Sequence, residues 1–416
     1  MNTPVPTLQD CELLDQHDPL RALRAQFELP PGVIYLDGNS LGAMPRATAA
    51  RVAQAITQEW GQDLIRSWNS AGWFTLPQRV GDKIARLIGA GEGEVVAADS
   101  TSINLYKVLS AALQMAASDV PEKKTILSER SNFPTDLYIA EALCRQHGYT
   151  LELVQAEEIE ATLRRGQVAV LMLTHVNYRT GAMHDMAALS ALAHAQGALT
   201  VWDLAHSAGA VPVDLRGAAA DFAVGCGYKY LCGGPGAPAW LYVRPEHQEK
   251  DWPVIAGWMG HQDVFAFAPS YGPLAGVRRH LSGSPAILAN QAMSAAADLW
   301  KLIEPADLSA KHRSISELLV QLLQERCAAL GVQVTSPLDY SQRGGHLTFS
   351  HPGAGSVTEA LLAHGVVSSF RKPDSIRFGL SPMALSHVDV WTAVDRLVHV
   401  LDSGVWREPR FAKVSV

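Results

Sequence analysis

Asp203 and Lys229 are the residues whose types and spacing speak most directly of chemistry. Val201-Trp202-Asp203 closes an apolar run. Asp203 is therefore expected at the end of a buried strand, at the sheet edge where α/β proteins hold their ligands. It opens Asp203-Leu204-Ala205-His206-Ser207-Ala208-Gly209-Ala210, and Gly225-Cys226-Gly227-Tyr228-Lys229-Tyr230 follows. Lys229 sits there among glycine, cysteine and aromatic neighbours, and poor hydration is expected to lower its pKa towards the neutral, nucleophilic amine. Taken singly, a lysine is most often a solvated surface residue and an Asp at a strand end a turn former. The ordered pair, with His206 between, is what pyridoxal phosphate (PLP) requires. The cofactor needs an amine to hold its aldehyde carbon and a carboxylate to keep its pyridine nitrogen protonated, so that the ring can accept electrons.

Such residues need a rigid sheet to position them, and the sequence supplies one. Apolar runs at Glu94–Asp99, Lys124–Glu129, Leu151–Gln155, Val168–Val176, Leu199–Ala205, Phe222–Cys226 and Ala239–Val243 read as strands. Amphipathic stretches at Ser102–Ala116, Thr135–Gln146 and Met186–Gln196 lie between several of them, which predicts an α/β fold with a central, mostly parallel seven-stranded sheet flanked by helices. After about residue 285 the pattern changes. Helices are predicted over Pro285–Ile303, Leu308–Ala329, Val357–Ala363 and His387–Leu401, with short strands at Val332–Thr335, His346–Ser350 and Val366–Phe370. That reads as a smaller α+β lobe.

Further along the chain, Thr101 and Ser102 open the helix after the first strand, where free N–H groups make a phosphate site or merely a cap. Phe133, before a proline, can stack on a planar ring or staple a helix start, and Asp136 follows in the first helical turn. Thr174 and Asn177 end another buried strand, with Thr174 the better candidate for contact near a ring oxygen. Arg377, in the otherwise apolar Ser375-Ile376-Arg377-Phe378, suits bidentate capture of an α-carboxylate or a structural ion pair. Trp68, Trp73 and the Asn39-Ser40 turn offer aromatic and polar surface to an aromatic substrate. Gly89-Ala90-Gly91-Glu92-Gly93 and Gly233-Gly234-Pro235-Gly236 lack the context of nucleotide-binding loops.

Asp203–Gly209 followed by Tyr228-Lys229-Tyr230-Leu231-x-Gly-Gly-Pro-Gly resembles the kynureninases, PLP enzymes of the aspartate aminotransferase fold type I. The resemblance covers nearly the whole chain, through Tyr35-Leu36-Asp37-Gly38-Asn39-Ser40-Leu41-Gly42, Ser131-Asn132-Phe133-Pro134-Thr135-Asp136, Gly257-Trp258-Met259-Gly260-His261 and Ile376-Arg377-Phe378-Gly379. It implies a large PLP-binding domain over 46–284 and a small α+β domain in which 1–45 and 285–416 pack together. It also implies that Thr101, Ser102 and Tyr228 contact the cofactor's phosphate, that Phe133 stacks on its ring, and that Asp136 and His206 belong to the same site. Trp258 and Ser284 would reach the phosphate from the other subunit of a homodimer with shared active sites. Ser284 departs mildly from relatives that carry Thr or Asn. Asn39, Trp68 and Arg377 would hold the substrate. The implied reaction is hydrolytic Cβ–Cγ cleavage of L-kynurenine, or its 3-hydroxy form, to anthranilate and L-alanine in tryptophan degradation, with Tyr228 or Lys229 giving the last proton.

Composition narrows the field. The chain has 416 residues, 18% charged, and a net charge of −7 without a basic block, which argues against nucleic acid as a partner. No apolar run approaches a membrane span, and Met1-Asn2-Thr3-Pro4 carries no leader pattern, so a cytoplasmic enzyme is expected. Five cysteines without CxxC or zinc-site spacing suit a reducing compartment and offer no metal site. The rivals are a cysteine desulfurase or selenocysteine lyase, an aminotransferase, and a PLP-fold binding protein without turnover. A thiol-based desulfurase needs a cysteine on a mobile loop of the second lobe, whereas Cys327 lies in a helical pattern and Cys226 in a strand.

Overall fold

The computed structural model describes residues 5–412; Met1–Pro4, read above for a leader, and the last four residues lie outside it. Its large sheet contains β1 (Val95–Ala97), β2 (Thr125–Glu129), β3 (Thr150–Val154), β4 (Val168–Thr174), β5 (Leu199–Asp203), β6 (Phe222–Gly225) and β7 (Trp240–Val243). Their order is β1-β7-β6-β5-β4-β2-β3. Strand β7 runs antiparallel to both β1 and β6, and the remaining pairs are parallel. Every side chain of β4 is buried, as a strand covered on both faces requires.

The helices relevant here are α1 (Leu8–Gln16), α2 (Arg46–Gln54), α3 (Leu76–Ala85), α4 (Thr101–Asp119), α5 (Pro134–His147), α6 (Met186–Ala195), α7 (Ile287–Trp300), α8 (Pro305–Arg326), α9 (Ala354–Ala363) and α10 (His387–Asp402). Neighbouring strand residues point to opposite faces. Thus Val170, Val201, Val224 and Leu241 pack with Leu105 and Leu109 of α4 and Leu143 of α5. On the other face, Leu171, Trp202, Ala223 and Trp240 meet Val80 and Ile84 of α3 and Leu189 of α6. Strong punctuation bounds the helices. Pro134 starts α5 in its first turn, and Gly148, at φ 70°, ends it in a left-handed conformation that only glycine adopts without strain.

A second sheet has β8 (Gln333–Val334), β9 (His346–Ser350), β10 (Ser369–Arg371) and β11 (Ser375–Gly379), all antiparallel in the order β8-β9-β11-β10. Leu319 and Leu323 of α8, Leu361 of α9 and Val394 of α10 form a buried cluster with Leu347, Phe349 and Phe378 of that sheet. Cys11, Ile34 and Leu36 join it from the N-terminal segment. The strand expected over Val366–Phe370 is two strands. Val366–Val367 pairs in parallel with Ile34–Tyr35, and Ser369–Arg371 pairs with β11. An apolar run shows that a segment is buried; it does not show that its two halves pair with different partners. Helix α7 turns its buried Met293, Ala296 and Trp300 into the cluster of the large sheet, so the change of pattern at 285 is not a change of packing partner.

At the N-terminal edge of the large sheet, Asp221 is nearly fully buried. Its carboxylate accepts from His194 Nε2 at 2.7 Å, His247 Nε2 at 2.8 Å, and the Thr200 N–H and Oγ1 at 2.8 and 3.0 Å. Burial alone would raise its pKa, but the hydrogen bonds from His194 and His247 outweigh that and hold it well below the usual carboxylate range. A carboxyl whose folded pKa is depressed stabilises the fold fully above its unfolded value of about 3.9 and progressively less as pH falls below it. Asp221→Asn is therefore expected to cost about 3 kcal/mol in urea unfolding at pH 7. That deficit should shrink when the same pair is compared below about pH 3. An equal deficit at both pH values would contradict the charge-based account.

Candidate active site

The C-terminal ends of β4, β5 and β6 and the turn from β1 into α4 open onto one cavity of about 450 Å³. Each strand is shorter there than its apolar run suggested: Asp99, Val176, Ala205 and Cys226 fall just beyond the last paired residues. Those peeled-off ends carry the chemistry.

At one end of the cavity stand Thr101 and Ser102. The cap of α4 is Ser100, whose Oγ accepts from the Ile103 N–H at 3.4 Å. Among the described residues the hydroxyls and N–H groups of Thr101 and Ser102 are left without protein partners, at the positive end of a nineteen-residue helix. That is what an anion site needs.

At the other end lie two carboxyls. Asp203 is 6% exposed, and its Oδ1 accepts from the Ala205 N–H at 2.7 Å. Burial raises its pKa while the charge of Lys229 opposes the rise. Asp136, 4% exposed, stands well above the ordinary carboxyl range because of burial and the adjacent Asp203 charge. Asp136 therefore keeps a proton and shares it with Asp203. Thr174 Oγ1 bonds to Asn132 Oδ1 and lies 3.4 Å from Asp136 Oδ2, tying the end of β4 to the start of α5.

Between these ends Lys229 Nζ lies 3.0 Å from His206 Nε2. Burial, then the charge of Lys229, keeps the His206 imidazole neutral, and its Nδ1 has no partner among the described residues. Lys229 is half-buried, more open than its apolar neighbours in sequence suggest, because its side chain faces the cavity. The Tyr228 hydroxyl is pushed up to about 12 by burial and by Cys226 and Asp203, so it stays protonated. Phe133, 41% exposed, lines the cavity and meets Tyr178 edge-on at 5.2 Å.

The remaining expected residues stand apart from this wall. Arg377 is 1% exposed, one layer behind it. It donates to the Tyr178 carbonyl at 2.6 Å, to Ser369 Oγ at 3.1 Å and to Ser40 Oγ at 3.2 Å. Burial, then Arg371, lowers its pKa to about 10, and no carboxylate among the described residues forms an ion pair with it. Asn39 is fully buried with both amide atoms unpartnered. Asn177 instead caps its own turn, accepting from the Arg179 and Thr180 N–H groups at 2.9 and 3.2 Å. Trp68 packs edge-on against Trp258 at 5.9 Å in an aromatic cluster with Trp73 and Phe74, off the cavity wall. Ser284 is exposed in the loop before α7. Sequence reasoning missed Asp99, Tyr178, Asn132 and His346. The strand-end rule would have found Tyr178, which follows β4 by four residues. His346, fully buried with its ring 5.3 Å from His206, has no local signal.

Residues 308–397 match the family described as the kynureninase C-terminal domain. A kynureninase of Pseudomonas fluorescens is 49% identical over 407 residues, 97% of this chain and 98% of its own. One of Burkholderia pseudomallei (strain 1106a) is 48% identical over 98% of both. The chain belongs to the kynureninase family. Among solved structures, the apo cysteine desulfurase of Thermococcus onnurineus NA1 superposes with a TM-score of 0.76 at 20% identity, covering 93% of this chain and 99% of that one. A mutant of C-DES with glycine covalently linked to its PLP cofactor gives 0.76 at 16% identity, covering 90% and 98%. These likenesses establish fold type I for this member of the kynureninase family.

The turn bearing Lys229 also depends on a close approach. The Gly42 N–H donates to the Tyr228 carbonyl at 2.8 Å, and a methyl group on Gly42 would overlap the Lys229 carbonyl oxygen and the Cys232 backbone. Gly42→Ala should displace Lys229 and weaken PLP uptake by roughly tenfold to a hundredfold, on the scale of core overpacking. Titrating the apoprotein with PLP by absorbance checks this; unchanged affinity would show that the turn yields without moving the lysine.

Proposed function

We propose that the chain hydrolyses L-kynurenine at the bond between Cβ and the γ-carbonyl, giving anthranilate and L-alanine. The observation that carries this reading is a single cavity with free helix N–H groups at one end, a buried carboxyl pair at the other and Lys229 beside His206 between them, in a chain of the kynureninase family. The residues fit PLP. The unpartnered N–H and hydroxyl groups of Thr101 and Ser102 suit its phosphate, joined by the Tyr228 hydroxyl, and the buried Asp203 suits its protonated nitrogen. Phe133 and His206 would flank its ring, with Thr174 and Asp136 at its rim. When bound, PLP supplies an aldehyde carbon for the substrate's amine and a ring that takes up electrons released at the α-carbon.

Lys229 holds the cofactor at rest and, once freed, takes the proton from the substrate's α-carbon. Its 3.0 Å contact with His206 keeps the amine directed into the cavity. Arg377 holds the α-carboxylate, a role favoured by a buried guanidinium whose hydrogen bonds go to neutral oxygens only. Asn39, with two unpartnered amide atoms, offers the substrate further hydrogen bonds. Water adds to the γ-carbonyl, the Cβ–Cγ bond breaks as the carboxyl of anthranilate forms, and Tyr228 protonates the Cβ that keeps the electron pair; its hydroxyl, held near 12, keeps a proton to give. A thiol-based desulfurase is disfavoured because all five cysteines are buried, Cys226 and Cys327 included.

We read residues 46–284 as the cofactor lobe and 1–45 with 285–416 as the second, bridged by α7, and we infer a homodimer with shared sites. Trp60, Ile65, Phe265 and Phe267 are large apolar residues 58–79% exposed, as an unburied interface would be. Trp258 packs on Trp68 beside this aromatic group, and Ser284 is free to serve a partner's phosphate. No helix among the described residues is long and apolar enough to cross a membrane, and five unpaired cysteines support a cytoplasmic setting.

Kynurenine labelled with ¹⁵N at its α-amino group should yield ¹⁵N-alanine and anthranilate in equal amounts without added keto acid, and borohydride should fix the pyridoxyl group on Lys229. Stoichiometric pyridoxamine phosphate would make the chain an aminotransferase. In a separate test, mixing inactive Lys229→Ala and Ser284→Ala proteins should recover up to about a quarter of wild-type activity through hybrid dimers. Full activity in a monomer would exclude shared sites.

A further inference from the structure

Asp99 occupies an unusual place on the cavity wall. It joins β1 to α4 with φ at 47°, a left-handed conformation that is costly for a residue with a Cβ. Its carbonyl accepts from the Ala239 N–H at 3.0 Å, which pins the turn to β7. It also lines the cavity beside Ser100, Thr101 and Ser102. A carboxylate there has the wrong sign for a phosphate site, since it opposes the potential that the start of α4 provides.

Lys107 answers that charge. It is the seventh residue of α4, and helical side chains lean towards the N-terminus, so its ammonium reaches back along the helix. Nζ lies 2.6 Å from Asp99 Oδ2 and donates to the His280 carbonyl at 2.6 Å. The lysine side chain is 2% exposed and that of Asp99 30%. A buried lysine in a tight ion pair with a partly open carboxylate costs desolvation that a fold does not need at this position.

We propose that Lys107 is a positioning residue for the cofactor's phosphate. It cancels the Asp99 charge beside the Thr101 and Ser102 donors and holds the turn on which those donors stand. This rests on the PLP reading given above. Neither its geometry nor its burial places Lys107 in contact with the cofactor; its effect passes through Asp99.

The test uses the full-length protein stripped of cofactor, titrated with PLP and with pyridoxal, which lacks the phosphate. Lys107→Met should weaken PLP binding by about thirtyfold, the scale of one uncompensated charge close to a dianion, and leave pyridoxal binding within about twofold. The double variant Lys107→Met/Asp99→Asn, with neither charge, should regain at least about tenfold of the loss. Asp99→Asn alone, which folds independently of any defect at Lys107 and keeps a residue tolerant of left-handed φ, should bind PLP at least as tightly as wild type. Equal losses for PLP and pyridoxal in Lys107→Met, no recovery in the double variant, or a loss beyond threefold in Asp99→Asn would each overturn the proposal. Failure of the wild-type protein to take up PLP would overturn the cofactor reading itself, an outcome distinct from the others.

Discussion

Asp136 and Asp203 place two nearly buried carboxyl groups side by side at one end of the cavity, and the large lobe holds them there. Two ionised carboxylates cannot share such a space, so burial and mutual repulsion leave Asp136 protonated. The remaining negative charge on Asp203 is held by the field of Lys229, by the Ala205 N–H and by the proton of Asp136. A buried carboxylate at the cavity end favours a cationic partner. The fully buried strand β4 and β5, buried from Thr200 to Asp203, fix the spacing, because a strand covered on both faces cannot shift register without exposing its apolar side chains. The capping of α4 by Ser100 then leaves the anion-binding donors at the opposite end of the same cavity.

The second lobe completes this polarity. Arg377 is buried in β11 with its fork spread over one carbonyl and two hydroxyls, all neutral acceptors. Neutral acceptors satisfy its hydrogen bonds and fix the orientation of its fork, while the nearby Asp37 carboxyl offsets part of its charge. Tyr178 links the layers, its side chain lining the cavity wall while its carbonyl receives Arg377. Movement of the second lobe would thus be felt directly at the wall of the first.

Much of this was legible in the sequence, for reasons that differ by residue. The order Asp203, His206, Lys229 was readable because strand ends follow from apolar runs, and all three line one cavity with Thr101, Ser102, Phe133, Asp136, Thr174 and Tyr228. Strand ends were placed a residue or two late, since a strand's last buried residue and its last paired residue differ where the chain leaves the sheet. Arg377 was recognised by its type, but its acceptors come from residues 40, 178 and 369, a juxtaposition that local spacing cannot encode. His346 and Asn39 were harder still. Their significance lies in what they lack, since both are fully buried with unpartnered polar atoms, and only the packed structure reveals that.

The solved relatives of this fold include cysteine desulfurases, so architecture alone cannot decide the chemistry. What differs is which groups reach the space beyond Lys229. A desulfurase of the thiol type must bring a nucleophilic sulfur there, and burial pushes the Cys226 and Cys327 thiols up, keeping them protonated and inaccessible. This chain instead brings the neutral imidazole of His206 and the hydroxyl of Tyr228 to the cavity wall. Such groups can bind and orient water and a carbonyl oxygen. For a hydrolase of the kynureninase family, water is the group these side chains have to position.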